Sequence, residues 1–206
     1  MEIEGPAFAA RTDIGAKLPV IAIASSAGGL RALGKLLVSL PEDLPAALLI
    51  VQHLDPSYPS MLVHLLSQQT ALKVLQAVDG QLMQAGVAYI APPNYHLFVN
   101  PGCLIGLSQA EKVHFLRPSA DILFESVAQQ HGKRAIAVIL TGTGSDGSKG
   151  AIAIHNHGGV VIAQDKATSE FFGMPGSAAE TGIVNYTLPL QEIGPALIAL
   201  VNRGTL

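Results

Sequence analysis

Apolar positions along the chain gather into short blocks that alternate with helical spacing. Residues 19–25 (PVIAIAS) form an apolar run rich in Ile and Val, which stops at Ser26-Ala27-Gly28-Gly29. Residues 30–40 (LRALGKLLVSL) then place leucines at helical intervals, so the pattern predicts strand, glycine-rich turn, helix. The same order recurs with a strand over 46–51 (AALLIV), a loop over 52–60 containing Pro56 and Pro59, and a helix over 61–69. Two βα units in succession predict a parallel sheet covered on both faces.

The middle of the chain breaks that rhythm. Short apolar segments at 87–91, 95–100 and 104–107 are separated by Pro92-Pro93-Asn94 and Pro101-Gly102, which predicts a hairpin or small antiparallel extension. Alternation resumes with a helix over 119–131, a strand over 135–140, the glycine-rich loop 141–147 (TGTGSDG), and a helix over 149–156. A strand at 160–163, a helix opening near Pro175 and a last helix over 190–202 complete the prediction: a doubly wound, mostly parallel α/β sheet sandwiched by helices. Residues 1–17 show no sustained periodicity and are expected to be a loose leader or linker, with one domain over 18–206.

Composition narrows the function. With 206 residues, 49% of them hydrophobic, the chain can bury one substantial core. A charged fraction of 13% and a formal net charge of -3 give no basic stripe for nucleic acid. The apolar runs are too short for membrane insertion. A single cysteine, Cys103, with no signal segment at the start, fits a cytoplasmic protein, and its apolar neighbours suit a buried small side chain rather than a nucleophile.

In open α/β sheets the ligand site lies beyond the carboxyl ends of the strands. Three polar residues fall in loops at that edge: Ser26 after the first strand, His53 after the second, and Asp146 after the strand at 135–140. Ser26 has Ala24 two residues before it and Gly28 two after, the small flanks that a nucleophile turn of G-x-S-x-G type requires. With Ser25 as nucleophile one flank would be Ile23, a stiff β-branched residue, so Ser26 is the better choice. The plainer alternative makes either serine a helix N-cap.

His53 stands where an imidazole could accept a serine proton, although one of seven histidines at a strand end could equally bond to backbone. Asp146 could fix the tautomer of His53, or serve as a turn residue or N-cap. Asp55 competes for the same role, but two residues from His53 and next to Pro56 it better suits a local turn. His155 and His157 do not share a helix face, so no metal site is expected there.

Several blocks in order now carry a resemblance: IAIASSAGGL around Ser26, IVQHLDP around His53, YIAPPNYH at 89–96, RPSADILFESVA at 117–128, AVILTGTGSDGSKG around Asp146, and AQDKATSEFFGMPGSAAETG at 163–182. Over about 18–201 the chain resembles the catalytic domain of the CheB protein-glutamate methylesterases of bacterial chemotaxis. The resemblance implies a Ser26, His53, Asp146 triad that cleaves glutamate methyl esters on chemoreceptor-like proteins through an acyl-enzyme. It also implies backbone oxyanion donors at Ala27 and Thr143, and activity without a cofactor or metal. Glutamine deamidation by the same acyl chemistry is a related expectation, and a cognate methyltransferase an expected partner.

Two departures are visible: the family commonly has methionine at the position of Thr143, and threonine or alanine at that of Ala27. The seventeen leading residues are too few for the receiver domain that usually precedes this catalytic domain, so the expectation is a catalytic domain alone. A serine esterase with another substrate and a catalytically silent docking module are the alternatives.

Overall fold

The computed structural model describes residues 18–54 and 60–202. Seven strands form one sheet in the order β3-β4-β2-β1-β7-β8-β9, and every neighbouring pair is parallel. They are β1 (Val20–Ser25), β2 (Ala47–Gln52), β3 (Lys73–Gln76), β4 (Val87–Ile90), β7 (Ala135–Ile139), β8 (Val160–Gln164) and β9 (Tyr186–Leu188). Two further strands, β5 (His96–Asn100) and β6 (Leu104–Ser108), pair antiparallel as a separate ribbon.

The helices are α1 (Gly29–Val38), α2 (Leu62–Ser67), α3 (Ala120–His131), α4 (Ser148–Asn156), α5 (Gly173–Glu180) and α6 (Leu190–Asn202). Alternate residues of β1 feed two cores because successive side chains in a strand point to opposite faces. Ile21 and Ile23 pack with Leu33, Leu36 and Leu37 of α1 and with Ile193 and Leu197 of α6. Val20, Ala22 and Ala24 join Leu123, Phe124 and Val127 of α3, Ile154 of α4 and the ribbon's Leu97 and Ile105. A sheet buried on both faces must read as continuous apolar runs, and β1, β2 and β7 are buried at every position.

The prediction for the middle of the chain needs correcting. Val87–Ile90 is not part of an antiparallel extension; it lies inside the parallel sheet, between β2 and β3. Its four residues are all buried, so neither alternation nor length distinguished it from the ribbon strands that follow. The edge strands β3 and β9 were not anticipated, because only Val74 of β3 is buried and β9 has no buried residue.

Chain order sets the location of the site. From β1 the chain moves outward to one edge through β2, then returns to place β7 on the other side of β1 and continues to β9. The reversal leaves a crevice at the carboxyl ends of β1 and β7, the usual ligand position in such sheets.

Candidate active site

Ser26 directly follows β1, and its backbone N–H donates to the Thr141 carbonyl at 3.1 Å, tying the turn to the end of β7. Gly28 caps α1 with a left-handed φ of 76° and no side chain caps that helix, so neither serine is spent on capping. Ser25 is fully buried and its hydroxyl donates to Gln52 Oε1 at 2.7 Å. Ser26, by contrast, lines an open cleft of about 820 Å³ together with Ala27, His53, Leu54, Arg31 and Glu170.

His53 follows β2, and its backbone N–H donates to the Ser25 carbonyl at 3.0 Å. Gln52 connects the two turns, because its Nε2 donates to the carbonyls of Ser26 at 2.9 Å and His53 at 3.0 Å. The His53 ring turns Nε2 toward Asp146 Oδ2, 2.8 Å away, with both side chains nearly removed from solvent. Nδ1 is the ring nitrogen that this bond leaves open.

Asp146 is seated by the start of α3, not by the helix that follows it. Its carboxylate accepts the Ser119 hydroxyl at 2.8 Å, the Ala120 N–H at 2.6 Å and the Asp121 N–H at 3.2 Å. A helix N-terminus offers unpaired N–H groups and the positive end of the dipole, which favour an anion. Burial pushes the Asp146 carboxyl upward, but the hydrogen bonds from His53, Ala120 and Ser119 outweigh it and hold the group below its ordinary value.

Asp121 returns the arrangement from the opposite direction, accepting the N–H groups of Gly147 at 2.9 Å and Gly150 at 2.8 Å at the start of α4. Burial raises its pKa, with the charge of Asp146 adding to the rise. The two carboxylates thus lock α3 and α4 together by each other's first turns. Behind them, buried His96 accepts the Ser119 N–H at its Nδ1 (3.2 Å) and donates from Nε2 to the Glu111 carbonyl at 3.0 Å.

The loop after β7 closes the far side. Thr141 Oγ1 donates to the Ala27 carbonyl at 3.0 Å and accepts the Phe171 N–H at 2.8 Å, joining the Ser26 turn to the segment before α5. A Cβ built on Gly142 would stand 2.9 Å from Ser26 Cβ, so only glycine lets the two turns approach this closely. Thr143 is exposed one residue further along, outside the cleft lining.

Of the residues expected from sequence, the structure brings His53 and Asp146 into contact and places Ser26, Ala27 and His53 around one cleft. Asp55 lies outside the described residues, as does the leader over 1–17. Cys103 is buried, and His155 and His157 are exposed on α4 and its end. Gln52, Ser119, His96 and Asp121 were not singled out beforehand. Ser119 and Asp121 had a usable signal, a serine and an acid opening a helix. Gln52 stands beside His53 but has no type-specific signature. Among the described residues no group of three or more His, Cys, Asp or Glu could hold a metal ion, and no helix is long and apolar enough to cross a membrane.

Comparison with known proteins agrees with this architecture. The chain is 39% identical over 184 residues to a protein-glutamate methylesterase/protein-glutamine glutaminase of Pyrococcus horikoshii, covering 88% of this chain and 50% of that protein. It is 41% identical over 184 residues to the protein-glutamate methylesterase FrzG of Myxococcus xanthus, covering 89% and 55%. The chain spans about half the length of the curated relatives it matches. A solved structure, the CheB methylesterase catalytic domain of Thermotoga maritima, superposes with a TM-score of 0.86 at 38% identity, covering 89% of this chain and 98% of that one. The family model for CheB methylesterase matches residues 21–197, which take in β2 to β9, all but the first residue of β1 and every residue that lines the cleft, and the chain belongs to that family.

Proposed function

We propose that this domain hydrolyses glutamate methyl esters on chemoreceptor-like proteins, with Ser26 as nucleophile, His53 as general base and Asp146 as the carboxylate that orients His53. The observation that carries the reading is the 2.8 Å bond from His53 to a buried, helix-seated carboxylate, on an imidazole that shares its cleft with Ser26.

Ser26 Oγ attacks the ester carbonyl while His53 Nδ1 takes its proton, and Asp146 stabilises the imidazolium. The oxyanion of the tetrahedral intermediate is held by the Ala27 N–H at the start of α1. The Thr143 backbone, next to the Gly142 that abuts Ser26, is the second proposed donor. The Ser26 N–H is engaged with Thr141 and is unavailable for this purpose. His53 then passes its proton to the departing methoxide, and methanol leaves. Water, deprotonated by His53, cleaves the acyl-serine and releases a glutamate side chain. The same steps with ammonia as leaving group would deamidate glutamine, a step that leans harder on His53 as acid.

Every group in this scheme belongs to the chain, and it asks for no cofactor. A methyltransferase must supply the ester, and we place the reaction in the cytoplasm, consistent with the single cysteine. The test is methanol release from a receptor fragment carrying radiolabelled methyl esters. Release by the unaltered protein and its loss in Ser26→Ala is the expected result. Equal release from both would remove Ser26 from the mechanism.

A further inference from the structure

Phe115 is 94% exposed at the tip of a two-residue turn closed by reciprocal backbone bonds between Val113 and Leu116, at 3.1 and 2.8 Å. Both central residues take left-handed backbone conformations, His114 with φ 49° and Phe115 with φ 64°. Turns of this kind normally carry Asn-Gly, because bulky side chains are strained there. Scattered exposed apolar residues are ordinary, but an almost fully exposed phenylalanine in a conformation unfavourable to it calls for a compensating role.

Its position supplies one. Phe115 lines a small cavity of about 90 Å³ with His53, Leu54, Lys112, Leu116, Arg117 and Pro118. Leu54 and His53 also line the main cleft, so the two depressions adjoin at the proposed base. The arm is held firmly. Arg117 donates from Nε and Nη2 to Asn94 Oδ1 at 3.0 and 2.8 Å, and from Nη1 to the Gln109 and Ala110 carbonyls, both at 2.7 Å. A contact residue on a rigid arm loses little freedom on binding.

We propose that Phe115 is a substrate anchor: it packs on an apolar side chain of the polypeptide segment whose glutamyl ester enters the Ser26 cleft. The proposal rests on the methylesterase reading and specifies that the site takes a protein segment rather than a small ester. Charge points to the same occupant. Lys112 beside Phe115 and Lys35 in the main cleft suit a segment that carries free glutamates next to the esterified one, while Arg31 in that cleft stands 3.7 Å from Glu170.

Two variants test it, Phe115→Ala and the double change His114→Asn with Phe115→Gly. The second removes the aromatic ring while giving the turn its preferred residues, so a folding defect cannot account for its behaviour. Methanol release from a methylated receptor fragment is compared with hydrolysis of p-nitrophenyl acetate, and binding of the fragment is measured separately on a Ser26→Ala background. For both variants the KM for the fragment should rise about tenfold relative to that for the small ester, and the Kd of the inactive protein should rise similarly. Unchanged fragment binding in the double variant would overturn the anchor. If the unaltered protein releases no methanol, the methylesterase reading fails, and binding to the inactive protein still decides the anchor: weakened binding supports it and unchanged binding overturns it.

Discussion

His53 Nε2 lies 2.8 Å from Asp146 Oδ2, and the same oxygen accepts the Ala120 N–H at 2.6 Å. One carboxylate atom thus joins the imidazole to the first turn of α3, so the orientation of the ring depends on where that helix begins. Replacing Asp146 with Asn keeps an acceptor but withdraws the charge and lets the ring take the wrong tautomer. Methanol release should fall about 10³- to 10⁴-fold with the fold retained. Asp146→Ala should add a stability loss, since the α3 donors then lose their acceptor. Kinetics paired with thermal melts separates the two effects, and an active Asp146→Asn protein would remove the carboxylate from the mechanism.

Gln52 is a positioning residue with three bonds to the reacting turns. Gln52→Leu strands the fully buried Ser25 hydroxyl and frees the carbonyls of Ser26 and His53. A stability loss of about 1–3 kcal/mol is expected from the unsatisfied hydroxyl. Activity should drop a further 10- to 100-fold, roughly what a slight misplacement of reacting groups costs. Ser25→Ala removes only the first of the three bonds and should cost less activity. If the two variants have equal turnover, Gln52 does not position the site.

The central strands and the loops beyond them were legible because burial on both faces forces continuous apolar runs, and those runs end at Ser26, Gln52 and Thr141. Strand adjacency was not legible. Nothing in Val87–Ile90 says that it inserts between β2 and β3, because its four buried residues fit a ribbon equally well. Within the site, Ser26, His53 and Asp146 are residue types whose chemistry points to a role. The seat of Asp146 was hidden for a different reason: its partners Ser119 and Ala120 lie 27 and 26 residues away in sequence, the Ala120 N–H carries no residue signature, and a serine opening a helix reads as an N-cap rather than as a partner of a distant carboxylate.

Gly142 offers a steric test of the site's tightness. A methyl group there would meet Ser26 Cβ at 2.9 Å and run into the Met174 side chain. Gly142→Ala should therefore displace Ser26 and lower turnover by about 100-fold or more. Gly144, two residues on, has a φ of +83° and open space around it, so Gly144→Ala should cost about 1 kcal/mol of backbone strain without pressing on Ser26. Burst-phase acylation by a chromogenic ester reads the difference directly. Equal acylation by the two variants would show that the contact with Gly142 is slack.

Acid should weaken the fold well above the carboxylate range, through His131. This residue at the end of α3 is 4% exposed, and its Nδ1 donates to the Leu18 carbonyl at 3.0 Å. Burial is the main cause that lowers its pKa to about 4, with Arg134 contributing, against an opposing effect of the Leu18 bond. An unfolded histidine titrates near 6.5, so between about pH 6.5 and 4 the unfolded chain binds a proton that the folded chain refuses. Stability is then full above pH 6.5 and falls as pH drops toward 4, by about 2 kcal/mol between pH 7 and 5. Buried His96, also shifted down by burial, pulls in the same direction. Asp146, shifted down as an acid, loses its contribution only below about pH 4, where the unfolded carboxylate begins to protonate, so the two windows are separable. The expected signature is a melting temperature about 4–8 °C lower at pH 5 than at pH 7. His131→Gln, which can still donate to Leu18 but cannot titrate, should flatten most of that slope. Parallel slopes for the two proteins would place the acid sensitivity elsewhere.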